Sequence, residues 1–201
     1  MSIIVFDTET TAPEPGQICQ LAYLLIDGPR VTGRNLFFAV DGMTERAFRV
    51  HGLSRERLET LSGGRRFAGE AASVFADFAA ADYLAGHSVA ADVRFLSAEL
   101  ARCGFSLGEK EIFCTRDFFV RMRRERDGAR VGWPSLTRLA QWYGLTPETI
   151  AAHCEAWFQG GGAAHDARYD AAAVWLILLE AARRGELTGA FAHSVALGGA
   201  G

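Results

Sequence analysis

Ile3-Ile4-Val5-Phe6-Asp7-Thr8-Glu9-Thr10 lies at the start of the chain. Its first four residues are apolar and mostly β-branched, the make-up of a strand buried on both faces. Two acids follow at a spacing of two. Strand side chains alternate between faces, so Asp7 and Glu9 share one. Two carboxylates that close repel, and burial increases the cost. A divalent cation between them removes it. Hard oxygen donors with no Cys or His beside them favour Mg²⁺ or Mn²⁺. Taken in isolation, however, Asp-x-Glu is more often a strand end with two solvated acids.

Outward from this strand, Ala12-Pro13-Glu14-Pro15-Gly16 is a loop, because its two prolines break regular structure. Residues 18–26 read as a second strand, ended by Asp27-Gly28-Pro29, and residues 36–40 as a third. The short links predict an antiparallel meander. The pattern then changes to helices at 44–50, 54–61 and 67–80, with His51-Gly52 between the first two. Residues 83–85 form a fourth strand, 92–102 a helix with Gly104 at its end, and 112–115 a fifth strand. Ser135 caps a helix running to Tyr143, and Thr146-Pro147 starts the next. Gly160-Gly161-Gly162 is a flexible break, and 166–184 is the last strong helix. Meander strands followed by helix-linked strands predict a mixed α/β sheet with helices packed on it. We expect one domain over 1–190, a flexible tail over 191–201 and fraying at Gly198-Gly199-Ala200-Gly201.

Composition bounds the function. The chain has 201 residues, 49% hydrophobic and 22% charged, which excludes a wholly disordered or collagen-like chain. With 21 basic and 24 acidic residues the net charge is −3, so no global basic field holds long nucleic acid. Lys110 is the only lysine; codon bias explains that before selection for bidentate phosphate contacts does. The best apolar run, 171–179, is too short to span a membrane and is followed by Glu180. The N-terminus lacks a basic lead-in, so we expect a cytoplasmic protein with no membrane partner. Cys19, Cys103, Cys114 and Cys154 show no CxxC spacing and read as reduced thiols. Arg121-Met122-Arg123-Arg124-Glu125-Arg126 reads first as a solvated helix or loop face, with a nucleic-acid or partner contact as the alternative.

Two further clusters carry chemistry. Gly86-His87-Ser88-Val89-Ala90-Ala91-Asp92 follows a short strand and opens a helix, where the dipole favours a carboxylate. His165-Asp166-Ala167-Arg168-Tyr169-Asp170 stands at the mouth of the last helix, with Asp166 as its cap and Asp170 about one turn in. Each cluster alone has a structural explanation. Together, in this order, they resemble the DEDDh exonucleases, the family that includes the proofreading subunit of bacterial replicative polymerase and ribonuclease T. Val50-His51-Gly52-Leu53 is similar to the Val-His-Gly-Ile segment lining the family's nucleotide pocket, and Ser135-Leu136-x-x-Leu139-Ala140 to its Ser-Leu-x-x-Leu-Cys helix. The likeness covers roughly residues 3–184.

The resemblance implies a ribonuclease-H-like fold, a five-stranded mixed sheet of order 3-2-1-4-5 flanked by helices. It implies two-metal phosphodiester hydrolysis from the 3′ end of single-stranded DNA, or of RNA in a trimming enzyme. Two Mg²⁺ or Mn²⁺ are expected as cofactors. Asp7 would bridge both ions, Glu9 and Asp170 would complete one, and Asp92 would bind directly or through water. His165 would be the general base, since an imidazole can accept a proton near neutrality. Thr8, Thr10, His51 and His87 are the expected substrate contacts. A DNA polymerase or a second copy of the chain is the candidate protein partner, and the short sequence after the last strong helix favours a free-standing enzyme. Setting the four acids aside leaves the rest of the chain at +1, so grip on the strand should be weak and end-directed. The family commonly has Asn and an aromatic where this chain has Ser88 and Ala91, and a glycine and a bulky apolar residue where it has Ala12 and Pro13. Two readings compete. The His165-Asp166 doublet would suit an HD-type phosphohydrolase, which needs a mostly helical fold. A non-catalytic binding module would leave five intact catalytic-type residues without a purpose.

Overall fold

The computed structural model describes every residue except 14, 15, 129, 131, 161 and 201. The expectations for Glu14, Pro15, Gly161 and Gly201 therefore lie outside the described residues. The central strand β1 (Ser2–Thr10) pairs antiparallel with β2 (Ile18–Asp27), which pairs antiparallel with β3 (Arg30–Phe37). On its other edge β1 pairs parallel with β4 (Tyr83–Gly86), which pairs parallel with β5 (Glu111–Cys114). The order is β3-β2-β1-β4-β5, as the resemblance implied. Asp27 faces Arg30 across a hairpin of two residues, with Gly28 at φ 55°. A positive φ is the geometry such tight turns demand, and glycine meets it at no steric cost.

Alternation along β1 builds two cores. Ile3 and Val5 point to one face, with Leu24 and Ile26 from β2. There they meet α8 (Ala167–Arg183), α6 (Leu136–Trp142), α7 (Pro147–Phe158) and α9 (Gly189–Gly198). Ile4 and Phe6 point the other way with Leu21 and Tyr23, against α3 (Phe67–Ala80) and α4 (Ala90–Arg102). The Phe6 and Tyr23 rings each stand edge-on to Phe78, with centroids 5.1 Å apart. A smaller cluster of Cys19, Val40, Leu53 and Leu58 closes the space beneath α1 (Glu45–His51) and α2 (Arg55–Ser62).

The middle of α8 is apolar all round and lies buried across β1 and β2. Val174, Trp175, Ile177 and Leu178 are almost fully enclosed, each large side chain contributing about 1.5–3 kcal/mol by burial. Nearer its start, Ala171, Ala172 and Ala173 are small enough to let the helix approach the sheet closely. Asp170 immediately precedes them.

Two expectations change and one is narrowed. The third strand covers Arg30–Phe37, not 36–40. It is an edge strand with Arg30 and Thr32 exposed and Arg34 paired to Asp77 on α3, so its polar residues hid it, while apolar Phe38, Ala39 and Val40 are buried in the loop after it. The arginine-rich segment, read as a solvated helix or loop face, is a helix, α5 (Thr115–Asp127), with Arg121, Arg124 and Arg126 exposed and Phe119 buried on its inner side. The expected flexible tail from 191 is instead mostly α9: Phe191 and Val195 are buried, and Gly198 lies against Ile26 and Trp175.

Candidate active site

β1 outlasts its parallel neighbour. Pairing with β4 runs only from Ile3 to Val5, whereas pairing with β2 continues to Thr10, with an irregularity after Glu9. Residues 7–9 therefore have an edge free of strand pairing, open to both helical layers. Asp7 and Glu9 keep the phase of Ile3 and Val5 and face α8. There the carboxylates of Asp7, Glu9 and Asp170 each offer an oxygen within 4.8 Å of the others. Thr8 has the opposite phase and faces α4. Its backbone N–H and its hydroxyl both donate to Asp92 Oδ1, at 3.1 and 2.6 Å. One strand thus places two carboxylates directly and holds a third through the residue between them.

The electrostatics are those of a cage of acids. Burial is the main cause that raises the Asp7 pKa well above its usual value, with Asp92, Asp170 and Glu9 adding to it. Burial likewise raises Glu9 to about 9, with Asp170 and Asp92 next. Asp170 rises to about 7 through burial, opposed by a hydrogen bond from the His165 backbone amide. Asp92 rises to about 6 through burial, held down by its two bonds from Thr8. The charged neighbours acting most strongly on Asp7 and Glu9 are other carboxylates. The nearby cation Arg168 is committed to Asp166, through Nε at 2.9 Å and Nη2 at 2.6 Å. Burial raises Asp166, but the bonds from Arg168 and Gln20 outweigh it and hold this carboxylate below its usual value. Uncompensated oxygen donors of this kind suit a hard divalent cation.

Asp166 caps α8 by accepting from the Arg168 amide at 3.0 Å, as expected. Gln20, facing Glu9 across the strand pair, donates to Asp166 Oδ1 at 2.9 Å and accepts from the Ala167 amide at 3.4 Å. The start of α8 is so fastened to β2, and sequence reasoning missed Gln20 because its partners are 146 and 147 residues away. His165 is exposed at φ 67°. That left-handed conformation turns its amide to Asp170 and leaves its imidazole outside the core.

The expected substrate contacts have protein partners. Thr8 is bound to Asp92, and the Thr10 hydroxyl donates to the Ala12 carbonyl at 3.3 Å. His51 Nδ1 accepts from the Leu53 amide at 3.1 Å, which leaves Nε2–H to donate to the Thr10 carbonyl at 3.3 Å. Its edge lines a cleft of about 160 Å³ with Glu9, Thr10, Pro13, Arg46 and Val50. This is where the Val-His-Gly likeness implied a nucleotide pocket. His87 does not join the acid cluster. Its Nδ1 lies 3.1 Å from the Thr115 hydroxyl and its Nε2 3.1 Å from the Pro134 carbonyl, so it ties the β4 end to two later segments. Ser88 has φ 64°, a conformation in which Asn is at home and Ser is strained by about 1 kcal/mol. The departure at that position is therefore a backbone matter as well as a pocket one.

A 3-2-1-4-5 sheet with clustered carboxylates at the end of its central strand is the ribonuclease-H-like exonuclease architecture. Residues 4–178 match the RNase T exonuclease family, and the chain belongs to that family, within the DEDDh exonuclease superfamily. Similar solved structures include exonuclease I in a study of its processivity, with TM-score 0.71 and 16% identity over 90% of this chain and 41% of that chain. They also include E. coli exonuclease I with a dA16 oligonucleotide, at 0.70 and 15% over 90% and 41%. The same enzyme with a dT13 oligonucleotide aligns at 0.69 and 16% over 92% and 42%. This likeness is one of fold, and the chain spans about two fifths of the length of exonuclease I. No curated protein sequence matches it. Among the described residues, no helix is long and apolar enough to cross a membrane.

Proposed function

We propose that the protein is a metal-dependent 3′→5′ exonuclease that removes nucleotides from the end of single-stranded DNA. The observation that carries this is the convergence of Asp7, Glu9 and Asp170 within 4.8 Å, with Asp92 held beside them by Thr8. In this reading the four carboxylates hold two Mg²⁺ or Mn²⁺, which when bound neutralise the site and acidify water. His165, exposed at the mouth, takes the proton from the water that attacks phosphorus as the P–O3′ bond breaks. Thr8 keeps Asp92 oriented, and Gln20 with Asp166 keeps the His165–Asp170 turn in place. The His51 wall beside Glu9 receives the terminal nucleotide. Binding of exonuclease I to single-stranded oligonucleotides supports the choice of substrate by fold likeness.

The test is digestion of single-stranded DNA, duplex DNA and RNA, each labelled at the 3′ or the 5′ end, with Mg²⁺ or chelator. Stepwise shortening from the 3′ end in Mg²⁺, absent in chelator and in Asp7→Ala, is expected. Faster RNA trimming would reassign the substrate. Wild type no more active than Asp7→Ala would make the protein a binding module.

A further inference from the structure

The acid cage accounts for one end of the molecule's exposed surface, but not for the groove on α5. That groove, of about 680 Å³, is lined by Asp117, Val120, Arg121, Arg124, Glu125 and Trp133. Trp133 is 67% exposed, the largest value among the exposed large aromatics. The Arg116 guanidinium lies 3.9 Å from its ring centroid, covering one face and leaving the other to solvent. The ring is anchored, because the next residue, Pro134, is held by His87 and Ser135 caps α6. Arg121 and Arg124 are exposed, one turn apart on α5, and have no ion-pair partner among the described residues. Neighbouring arginines are neutralised: Arg123 and Arg126 bind Asp127, and Arg116 reaches Asp117 at 3.4 Å.

The groove shares part of its lining with a second cavity beside the start of α4. Asp117 and Arg121 also line this second cavity, of about 240 Å³, whose walls include Ser88, Val89 and Ala90. Ser88 lies four residues before Asp92. A flat aromatic face with unpaired guanidinium groups beside it matches a single-stranded nucleic acid: a base stacks while its phosphates meet the arginines. An acidic peptide would use the arginines and leave the ring face unfilled.

We infer that this groove binds the single strand behind its terminal nucleotide, one base stacking on Trp133 opposite Arg116 and the backbone phosphates meeting Arg121 and Arg124. This rests on the exonuclease reading and extends it to a second contact on the same strand. The test measures binding of a 5′-fluorescein dT oligomer of about 20 nucleotides, long enough for groove and cage together. It is done by anisotropy in chelator, where nothing is hydrolysed. Trp133→Ala should weaken binding about tenfold. Arg121→Ala/Arg124→Ala should flatten the log–log salt dependence by about 1.4, two phosphate contacts' worth on a single strand. Hydrolysis of a thymidine 5′-p-nitrophenyl phosphate, which fills only the cage, should be unchanged in both variants. Variants that bind the oligomer as wild type does would overturn the groove, as would a glutamate-rich peptide binding wild type equally well. If wild type cleaves neither substrate, the exonuclease reading fails, while the anisotropy still decides the groove.

Discussion

Asp92 owes its position to a threonine on another element. The 2.6 Å bond from the Thr8 hydroxyl both orients this carboxylate and lowers its pKa. Thr8→Val keeps the shape and removes the donor. Turnover in Mg²⁺ should fall about tenfold, the usual cost of losing such a supporting bond. The rising limb of the pH–rate profile should move to higher pH, because Asp92 then holds its proton more tightly. An unchanged profile would show that Asp92 does not need Thr8. His165 and Asp170 are joined through the His165 amide yet have different proposed roles, and two variants separate them. His165→Ala should cut kcat by about 10²–10⁴ and leave Mn²⁺ affinity intact. Asp170→Asn should weaken Mn²⁺ binding itself by at least about tenfold, read by calorimetry. Loss of Mn²⁺ affinity in His165→Ala would make the imidazole a ligand instead. At this scale the acids were legible only in combination: Asp7 and Glu9 alone read as a solvated strand end, and the later clusters with Asp92 and Asp170 gave them a common purpose. The Thr8–Asp92 bond was not, because 84 residues separate its partners. Nor was the commitment of His87 to the Pro134 carbonyl, since a histidine near a candidate site carries no sign of where its ring turns.

The elements differ in how openly their sequences declare them. β1, β2 and α8 were clear because burial on both faces demands uninterrupted apolar residues. β3 was displaced by several residues because one of its faces meets solvent. α5 was left open between helix and loop because five of its thirteen residues are arginines and its inner face is marked by few apolar residues, Phe118, Phe119 and Met122 among them. α9 was taken for a tail because glycine bounds it at both ends. The join between β3 and α7 illustrates what periodicity does not reveal. A methyl group on Gly33 would run into the Trp157 carbonyl and, at 2.9 Å, the Phe158 ring. The carbonyl is backbone and does not rotate aside. Gly33→Ala should therefore cost about 1–3 kcal/mol in chemical denaturation, the range of overpacking in a closed site. Its effect on Mn²⁺ affinity should be small, since Gln20 and Asp166 fasten α8 separately. A neutral substitution would mean that α7 does not press on β3.

For the molecule as a whole, the acid cage sets stability against function. In chelator, Asp7 and Glu9 bind protons more tightly in the folded chain than in the unfolded one, where carboxylates titrate near their ordinary values of 3.8 and 4.5. The folded state then carries the extra protons, so stability falls as pH rises toward the Glu9 value of about 9. His51 and His87 have lowered values and act oppositely, but only up to about pH 6.5. Between about pH 7 and 8 the carboxylates set the sign, and the buried Cys19 thiol, pushed up to about 12, acts the same way as pH nears 8. The melting temperature in chelator should drop across that window, and Mn²⁺ should restore more of it at pH 8 than at pH 7, since binding displaces those protons. A melting temperature that rises with pH in chelator would contradict the cage electrostatics. The most direct measurement is anomalous diffraction from crystals soaked in Mn²⁺. The account predicts manganese within bonding distance of Asp7, Glu9 and Asp170. Manganese bound elsewhere on the protein, with those three carboxylates bare, would contradict it.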